Sequence, residues 1–384
     1  MDSHVKKVLI AVNFVGFVGF LWDDLKYFKK KGYDIYLTAD YEEGYKQSTL
    51  ERLNSYGVKF IHIPTDAKSP LTKKNWQGLR KLKKVIDTEN FDLIVCHTAI
   101  TGIHIRLAAM SSRRKGTKVV YMTHGLSYNH TSSWKAKMVF GMVERFCSLL
   151  CDGIITINEE DYEEIRNMHC KNVWKIDGVG LDLSRYTDVP IDRTEYRKML
   201  NLDVSKVVLV TAGELSVRKN HQTIIRAISK LPSKDQYIFA ICGRVQTKDS
   251  ETPDVVSLAD NLGVDVRLLG YRDDLEKVFA CCDIGVMPSL REGLGMAGIQ
   301  MLCAGLPIVG SAVQGIKEYC IDGKTGYMVE NPLDADAFAQ AIEKLSDKAT
   351  RETMKSECIA ITKIFSTEHS VAQRKCIYDF ILNK

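Results

Sequence analysis

The feature that most constrains how this chain can fold is a regular alternation of short apolar runs with longer amphipathic segments. Strands that are apolar along their whole length are buried on both faces, which is typical of parallel sheets covered by helices. Neighbouring runs are roughly 20–30 residues apart, which is the spacing of repeated βα units. The runs are Val8–Asn13, Asp34–Ala39, Phe60–Pro64, Leu93–Thr98, Lys118–His124, Gly153–Asn158, Val207–Gly213, Tyr237–Gly243, Val266–Gly270, Ile284–Ser289, Pro307–Ser311 and Gly326–Glu330. So many strands exceed one open sheet, and the sequence therefore predicts an α/β fold with two Rossmann-like, doubly wound parallel-sheet domains.

The domain organisation follows from the length of the chain and from one interruption of this pattern. At roughly 100–200 residues per domain, the 384 residues suggest two or three domains. A proline and several charges in Tyr186–Arg193 break the alternation. We predict a first domain over 1–188, a second over 189–364, and a C-terminal helix over 365–384 that packs back toward the first domain. An interdomain cleft would then hold the ligand at the carboxyl ends of both sheets.

Composition and cysteine spacing exclude several classes of protein. Hydrophobic residues make up 45% and charged residues 26% of the chain, as in ordinary globular proteins. The apolar runs are shorter than the ~18 residues of a membrane span, and no cleavable signal peptide is recognisable. The eleven cysteines form no C-x-x-C pair, and no His, Cys and carboxylate cluster has metal-ligand spacing. We expect a cytoplasmic protein with reduced, mostly buried thiols and no bound metal.

Basic residues cluster in two stretches of a chain whose net charge is +5. Lys68–Lys84 contains no acidic residue, and Arg113–Lys118 forms the second cluster. Ser132–Phe146 adds basic residues beside Trp, Met and Phe side chains. These stretches are either solvated faces or a surface for anionic lipid or a phosphate-bearing acceptor. Nucleic acid is disfavoured as a partner because no nucleic-acid-binding motif accompanies the charge.

The most specific motif is Ser289–Pro307, with the sequence SLREGLGMAGIQMLCAGLP. Glu292 lies in a glycine-bearing loop after a buried strand, and a helix is predicted to begin near Gly295. Such a helix start offers free N–H groups to an anion, and the glycine allows a ligand to approach closely. Gly293, Gly295 and Gly298 also match a dinucleotide fingerprint. The loop before them is longer than that fingerprint allows, so we interpret the match as fortuitous.

This segment resembles the retaining glycosyltransferases of family 4, which have the two-domain GT-B fold, and it looks closest to the EpsD-like branch of exopolysaccharide and capsule enzymes. The family motif has two glutamates separated by seven residues. Glu292 matches the first, whereas Gln300 replaces the second. The resemblance implies that Glu292 binds hydroxyl groups of the donor sugar and Gln300 the nucleotide ribose, with Leu294 and Gly295 also at the donor. The side-chain amide of Gln300 can still form hydrogen bonds with the ribose diol.

A second family motif occupies Gly213–His221, with the sequence GELSVRKNH. The family usually has Arg directly after the glycine and Lys five residues later, but this chain has Glu214 and Lys219. We expect Arg218 to supply the missing positive charge, at the start of a predicted helix. A solvated helix start is the alternative. The resemblance implies that Lys219 binds the donor phosphates, which Gly213 and Glu214 adjoin, and the position of Arg218 next to Lys219 is the ground for expecting the same role of Arg218.

Further matches place a histidine and several glycines at the donor. His124 follows the strand of Lys118–His124. A lone histidine there is more often structural, but in this family it contacts the donor sugar or its phosphate. Upstream, residues 96–99 partly match another family motif. The resemblance also implies that Gly16 and Gly19 lie beneath the donor diphosphate. Gly243 and Tyr271 follow strands on the nucleotide side and complete the list of expected donor-binding residues: Gly16, Gly19, Gly213, Glu214, Gly243, Tyr271, Leu294, Gly295 and Gln300.

The resemblance implies transfer of a hexosyl or N-acetylhexosaminyl group, with retention, from a UDP-sugar to a lipid-linked saccharide in cell-surface polysaccharide biosynthesis. No cofactor or metal is expected, and we interpret the D-x-D motif of Asp334–Asp336 as a helix cap. The expected location is cytoplasmic and peripheral, at the inner face of an anionic membrane. Two alternatives remain: another GT-B enzyme, such as a sugar phosphorylase or nucleotide-sugar 2-epimerase, and a non-catalytic two-domain binding module.

Overall fold

The chain forms two compact units. The computed structural model describes residues 5–41, 47–67, 69–243 and 254–383. The first unit comprises Met1–Tyr128, Ser132–Gly180 and Glu368–Lys384, and the second comprises Asn129–Thr131 and Leu181–Thr367. The predicted boundary at residue 188 falls inside the second unit, because Leu181 already forms backbone hydrogen bonds with residues of that unit. Its N–H donates to the Phe365 carbonyl at 2.9 Å, and its carbonyl accepts from the Thr367 N–H at 3.1 Å.

The first unit contains a seven-stranded parallel sheet. Its strands are β1 (Lys7–Phe14), β2 (Asp34–Asp40), β3 (Lys59–His62), β4 (Leu93–His97), β5 (Lys118–Met122), β6 (Gly153–Thr156) and β7 (Val173–Lys175). Their order is β3-β2-β1-β4-β5-β6-β7. The apolar runs predicted every strand of this sheet except β7. That strand is three residues long, half-buried and at the sheet edge, so it lacks the continuous apolar run that a doubly covered strand shows.

The second unit contains a six-stranded parallel sheet. Its strands are β8 (Val207–Ala212), β9 (Tyr237–Cys242), β10 (Val266–Gly270), β11 (Ile284–Met287), β12 (Ile308–Ser311) and β13 (Gly326–Val329). Their order is β10-β9-β8-β11-β12-β13. All of them coincide with predicted apolar runs, and β9, β11 and β12 are buried along their whole length. Two helix-covered parallel sheets confirm the predicted fold class.

Helices connect the strands in both units. They are α1 (Trp22–Lys30), α2 (Gln47–Ser55), α3 (Lys73–Glu89), α4 (Ala99–Ala108), α5 (Met110–Arg113), α6 (Trp134–Cys147), α7 (Glu159–Ile165), α8 (Arg193–Met199), α9 (His221–Ser229), α10 (Val255–Leu262), α11 (Leu275–Cys281), α12 (Met296–Cys303), α13 (Ala335–Lys344), α14 (Lys348–Ile361) and α15 (Thr367–Leu382). Asp334 caps α13 by accepting the Ala337 N–H at 2.9 Å, which confirms its structural role. Across the described residues, no helix is long and apolar enough to cross a membrane.

The C-terminal helix α15 is tied into the first unit by buried charges. The Arg374 guanidinium lies 2.9 Å from the Asp24 carboxylate of α1, and each side chain is only 3% exposed. The Tyr27 hydroxyl donates to Asp379 at 2.5 Å. A buried pair of this kind is costly to break, because the remaining charge would be left without a partner.

The thiols behave as the sequence predicts. Ten of the eleven cysteines are buried, Cys376 is exposed, and all are unpaired. Burial raises the pKa of the Cys96 thiol to about 12. A buried thiol with a raised pKa is an inert core side chain rather than a nucleophile.

Candidate functional site

Polar loops of the second unit meet at the carboxyl edge of its sheet. Strands β8, β11 and β12 are neighbours in the sheet, so the loops that follow them lie side by side at one edge. The loop after β8 carries Arg218 and Lys219, the loop after β11 carries Glu292, and the loop after β12 carries Gln314. The sheet order therefore brings the two family motifs of the second unit together.

The Glu292 carboxylate is the centre of this cluster. Its Oε2 accepts the Lys219 Nζ at 2.5 Å and the Arg218 Nη1 at 3.2 Å. The Ser289 hydroxyl donates to the same oxygen at 3.2 Å. The side chains of Glu292 and Lys219 are each only 13% exposed. One carboxylate is thus held by two cations and a hydroxyl in a site with little solvent.

Burial and the neighbouring charges shift the pKa of Glu292 in opposite directions. Burial raises the pKa of the carboxyl, but the charges of Lys219 and Arg218 together lower it by more, so the pKa lies below its usual value. Glu292 is therefore ionised at neutral pH. The site combines a fixed carboxylate, which accepts hydroxyl groups, with two cations suited to phosphate.

The loop carrying Glu292 is fixed by the segment after β12. The Glu292 N–H donates to the Gln314 side-chain oxygen at 3.2 Å, and the Gly315 N–H donates to the Glu292 carbonyl at 3.2 Å. A Cβ at Gly315 would lie 2.2 Å from the Gly293 carbonyl oxygen, so only glycine permits this approach. Gln314 is fully buried with φ +36°, a strained backbone of the sort found at functional sites. Sequence reasoning missed both Gln314 and Ser289.

Two glycines of the apparent dinucleotide fingerprint, Gly295 and Gly298, accommodate Tyr319. A Cβ at Gly298 would lie 2.4 Å from the Tyr319 hydroxyl oxygen, and that hydroxyl donates to the Gly295 carbonyl at 3.1 Å. Gly295 has φ +78° and is the N-cap of α12. Packing of Tyr319 and a left-handed cap thus explain Gly295 and Gly298 without a dinucleotide.

Arg218 and Lys219 do not start a helix, which corrects the prediction. They lie in a single 3-10 turn, Val217–Lys219, and α9 begins only at His221. The intervening Asn220 has φ +55°, and its amide donates to the Pro288 carbonyl at 2.9 Å. Long-range bonding of Asn220 therefore interrupts the helix and presents both cations from a turn. Arg218 also contacts Glu214, at 3.3 Å.

A cavity of about 440 Å³ lies beside this cluster, entirely within the second unit. This volume is within the range of small-ligand sites. Its lining consists of Ala212, Gly213, Glu214, Cys242, Gly243, Tyr271, Arg272, Leu275, Ala297 and Gln300. Five of the expected donor-binding residues thus share one cavity: Gly213, Glu214, Gly243, Tyr271 and Gln300. Gly295 caps α12 nearby, whereas Leu294 is buried and does not line the cavity.

Gly213 joins the cavity to the charged cluster. A Cβ at Gly243 would lie 1.7 Å from the Gly213 carbonyl oxygen, and a Cβ at Gly213 would lie 3.0 Å from Cε of Lys219. The backbone approach therefore requires glycine at position 243, whereas a Cβ at position 213 would press only on the flexible end of the Lys219 side chain. Residues 244–253, which follow Gly243 in the chain, lie outside the described part.

The first unit holds a separate cluster around His124. The His97 Nδ1 and His124 Nε2 atoms are 3.0 Å apart, and the Phe17 ring packs edge-on against His124 with centroids 4.7 Å apart. Burial lowers the pKa of His97 to about 3 and that of His124 well below its usual value. Both rings are therefore neutral at physiological pH. Sequence reasoning noted His97 only as part of a motif and did not predict this bond.

The two glycines expected beneath a diphosphate lie in the 3-10 helix Val15–Phe20 of the first unit. A Cβ at Gly19 would meet nothing within 4 Å, so packing does not require glycine there. Within the described ranges, no group of three or more His, Cys, Asp or Glu side chains could hold a metal ion.

Comparisons with known proteins cover both units. Residues 20–176 match the model for Glycosyltransferase Family 4, and residues 192–359 match that for Glycosyl transferases group 1. The chain is 31% identical over 353 residues to the putative glycosyltransferase EpsD of Bacillus subtilis (strain 168), covering 89% of this chain and 88% of that protein. It is 25% identical to UDP-Gal:alpha-D-GlcNAc-diphosphoundecaprenol alpha-1,3-galactosyltransferase of Escherichia coli, covering 85% of each. Among solved structures, Anabaena HepE in complex with UDP and glucose superposes with a TM-score of 0.78 at 17% identity, covering 97% of this chain and 99% of that one.

Proposed function

The chain belongs to glycosyltransferase family 4 and has the GT-B fold, and on that premise we propose that it transfers a hexosyl or N-acetylhexosaminyl group from a UDP-sugar to a lipid-linked saccharide with retention of configuration. The printed name of the Escherichia coli relative supports this donor and acceptor class, since it names a UDP-sugar and a diphosphoundecaprenol-linked sugar. The reaction would serve the synthesis of exopolysaccharide, capsule or another cell-surface polysaccharide.

The observation that carries the proposal is the Glu292 cluster next to the cavity of the second unit. The nucleoside would occupy the cavity of about 440 Å³, which Gly213 connects to Lys219. The diphosphate would then contact Lys219 and Arg218, and the Glu292 carboxylate would accept hydroxyl groups of the sugar. The cavity, the two cations and the carboxylate, in that spatial order, match the nucleoside, the diphosphate and the sugar of a nucleotide sugar.

The same cations would stabilise the leaving group. As the bond from the anomeric carbon to the phosphate oxygen breaks, negative charge grows on the UDP phosphate, and Lys219 and Arg218 can stabilise it directly. The acceptor hydroxyl oxygen forms the new bond on the same face of the sugar, and its proton passes to the departing phosphate oxygen. This scheme retains configuration and needs neither a covalent side-chain intermediate nor a metal. Activity in excess EDTA is therefore expected to persist.

His124 is proposed to act on the transferred sugar or its phosphate as a neutral hydrogen-bonding group. The lowered pKa of its imidazole, caused by burial, supports this role over that of a cation. Gln300, which lines the cavity, is proposed to bond the ribose diol through its amide. Glu214, Gly243 and Tyr271 line the same cavity and are proposed to contact the nucleotide.

We further propose that the protein binds an anionic membrane surface peripherally, at the inner face of the cell membrane. Helix α6 supports this, because a row of its large apolar side chains is exposed: Trp134, Met138, Val139, Phe140, Met142, Val143 and Phe146. The Arg113 guanidinium bonds the carbonyl of the exposed Leu149 just after this helix, at 3.2 Å, so the Arg113–Lys118 basic cluster adjoins the apolar face. Apolar and basic side chains together suit an anionic lipid surface.

The other basic stretch supports membrane binding less strongly. Lys68 lies outside the described residues. In α3, Lys74 pairs with Asp40 at 2.8 Å and Lys83 with Asp87 at 2.7 Å, so part of its charge is already neutralised. Arg113 is likewise paired, with Asp152 at 2.8 Å. We therefore assign the lipid contact to the apolar side chains of α6 and to Arg114, Lys115 and Lys118 rather than to α3.

The proposed activity is tested by product analysis. The protein is incubated with UDP-galactose, UDP-glucose or UDP-N-acetylglucosamine and a sugar diphosphate that carries a long alkyl chain. We expect UDP together with a new glycoside, whose anomeric coupling in proton NMR matches that of the donor. Sugar phosphate would indicate a phosphorylase, an altered sugar on intact UDP an epimerase, and binding without turnover a non-catalytic module. Any of these three results would overturn the proposal.

A further inference from the structure

Two histidines of the first unit are bonded to each other at the carboxyl ends of neighbouring strands. His97 is the last residue of β4, and His124 follows the end of β5; the two strands pair in parallel, with His97 opposite Met122. The His97 Nδ1 and His124 Nε2 atoms are 3.0 Å apart. His97 is only 1% exposed, so a ligand would meet His124 rather than His97.

The backbone beside His97 is strained and held in place. Thr98 has φ +66°, which is uncommon for a β-branched residue and has a conformational cost. Its hydroxyl donates to the Asn13 side-chain oxygen at 2.7 Å, and the Thr101 N–H donates to the same oxygen at 3.3 Å. Asn13 of β1 thus fixes the turn that follows His97 and, with it, the direction of the His97 ring.

The surroundings of the pair leave little freedom for either ring. Phe17 packs against both, with ring centroids 4.7 Å from His124 and 5.8 Å from His97. The charge of Arg374, which is itself paired with Asp24, acts on both rings. Burial and this positive charge lower the pKa of both imidazoles, so two neutral rings share one hydrogen bond with one proton in it.

We propose that His97 is a positioning residue that fixes the ring orientation and the protonated nitrogen of His124. In a bond between two neutral imidazoles one nitrogen donates and the other accepts. Whichever ring donates, the state of Nε2 in His124 determines that of its Nδ1, so His97 decides whether His124 offers a ligand a donor or an acceptor. The effect on turnover rests on the proposed function, but the tautomer itself does not.

The tautomer is tested directly by long-range proton–nitrogen correlation NMR of protein labelled with ¹⁵N-histidine, at neutral pH without ligand. His97→Asn and His124→Asn assign the two rings. We expect each ring in one tautomer, with one protonated and one unprotonated nitrogen at the bond. In His97→Phe, His124 should show averaged nitrogen shifts. Averaged shifts in the wild-type protein, or an unchanged His124 in the Phe variant, would overturn the proposal whatever the enzyme's activity.

Kinetics separate positioning from a purely structural role. Because small misplacements of a catalytic group cost up to about a hundredfold, His97→Phe is expected to lower kcat about 10–100-fold with little change in KM for the UDP-sugar. His97→Asn keeps a polar group near the Nδ1 position and should restore most of kcat. The matched control is His104→Phe, at a buried histidine of α4 whose Nδ1 has no partner among the described residues. Equal kcat in both His97 variants would contradict the positioning role.

Discussion

The ammonium of Lys219 lies 2.5 Å from the carboxylate of Glu292, and each side chain is only 13% exposed. The main cation of the site is thus already balanced by a buried anion. Arg218, the second cation in contact with Glu292, lies 3.2 Å from the same carboxylate. Both cations are thus already paired with Glu292, and a nucleotide diphosphate would have to share them with it or displace it. Binding of the donor and rearrangement of the Lys219–Glu292 pair are therefore expected to be coupled.

Lys219→Ala is expected to lower kcat/KM at least ~100-fold, the usual scale for the loss of one group that stabilises developing charge. The control is Lys230→Ala, which removes a cation from an exposed ion pair with Asp336 in the same unit. Steady-state rates of UDP release measure both. A Lys219 variant with the rate of the control would remove the phosphate role from this residue.

Arg218→Ala is expected to be nearly as damaging, since Arg218 provides the second positive charge beside a Glu214 that cannot bind phosphate. Arg218 contacts Glu214 at 3.3 Å and Glu292 at 3.2 Å. The same assay is applied to Glu214→Arg, which changes the charge next to Arg218. Full activity of Arg218→Ala together with neutral or improved activity of Glu214→Arg would show that Arg218 does not compensate.

Glu292→Gln is expected to reduce turnover strongly and to destabilise the protein in a pH-dependent way. In the unfolded chain the carboxyl titrates near its usual pKa of about 4.3, whereas its pKa is lower in the folded protein. The ion pairs therefore stabilise the fold fully above that range, and this contribution is lost as the pH falls through the folded pKa. At neutral pH the variant leaves two cations without their carboxylate, a loss of about 1–3 kcal/mol.

Urea unfolding of wild-type protein and Glu292→Gln between neutral pH and about pH 3.5 measures this difference. The difference between the two free energies of unfolding should shrink as the pH falls below the usual carboxyl range toward the lowered pKa of folded Glu292. A difference that stays constant over the whole range would mean that the Glu292 charge does not stabilise the fold.

Gln300→Glu is expected to be tolerated and to tighten UDP binding, because a carboxylate makes a stronger, charge-assisted bond to the ribose diol than an amide does. Gln300 lines the cavity of the second unit. Isothermal titration of UDP into both proteins compares the two affinities. Clearly weaker binding in the Glu variant would place the ribose away from residue 300.

Membrane binding is expected to depend on the apolar face of α6. Met138→Ser combined with Met142→Ser should weaken sedimentation with anionic liposomes about tenfold, since both side chains lose apolar area that would leave water. The matched control is Met199→Ser, because Met199 of α8 is 64% exposed and Met142 is 59% exposed. Binding should also fall with added salt. Equal, salt-insensitive binding to anionic and neutral liposomes, or none, would leave α6 as a solvated face.

The strands could be predicted from the sequence because burial on both faces leaves a continuous apolar run, as in β9 and β11. Strand β7 was not predicted because it is short, half-buried and at an edge of the sheet. The turn at Arg218–Lys219 could not be predicted either. It depends on hydrogen bonds from Asn220 to Pro288 and Pro332, which are far away in the sequence.

The site could be predicted only in part, because some of its contacts join residues that are far apart in the sequence. The resemblance to family motifs identified Glu292 and Lys219, and the order of the strands brings them together. No local pattern points to Gln314, whose contact with the Glu292 N–H follows from the adjacency of β11 and β12. The bond between His97 and His124 likewise depends on the pairing of β4 with β5.

Equilibrium binding of UDP, measured by isothermal titration, tests the central assignment of the second-unit site most directly. Glu292→Gln is expected to bind UDP at least as tightly as the wild-type protein, because Glu292 is assigned to the sugar and the loss of its charge releases Lys219 for the diphosphate. Lys219→Ala should bind about tenfold or more weakly through loss of a charge-assisted phosphate contact. Absence of UDP binding to the wild-type protein, or equal affinity in Lys219→Ala, would contradict the account.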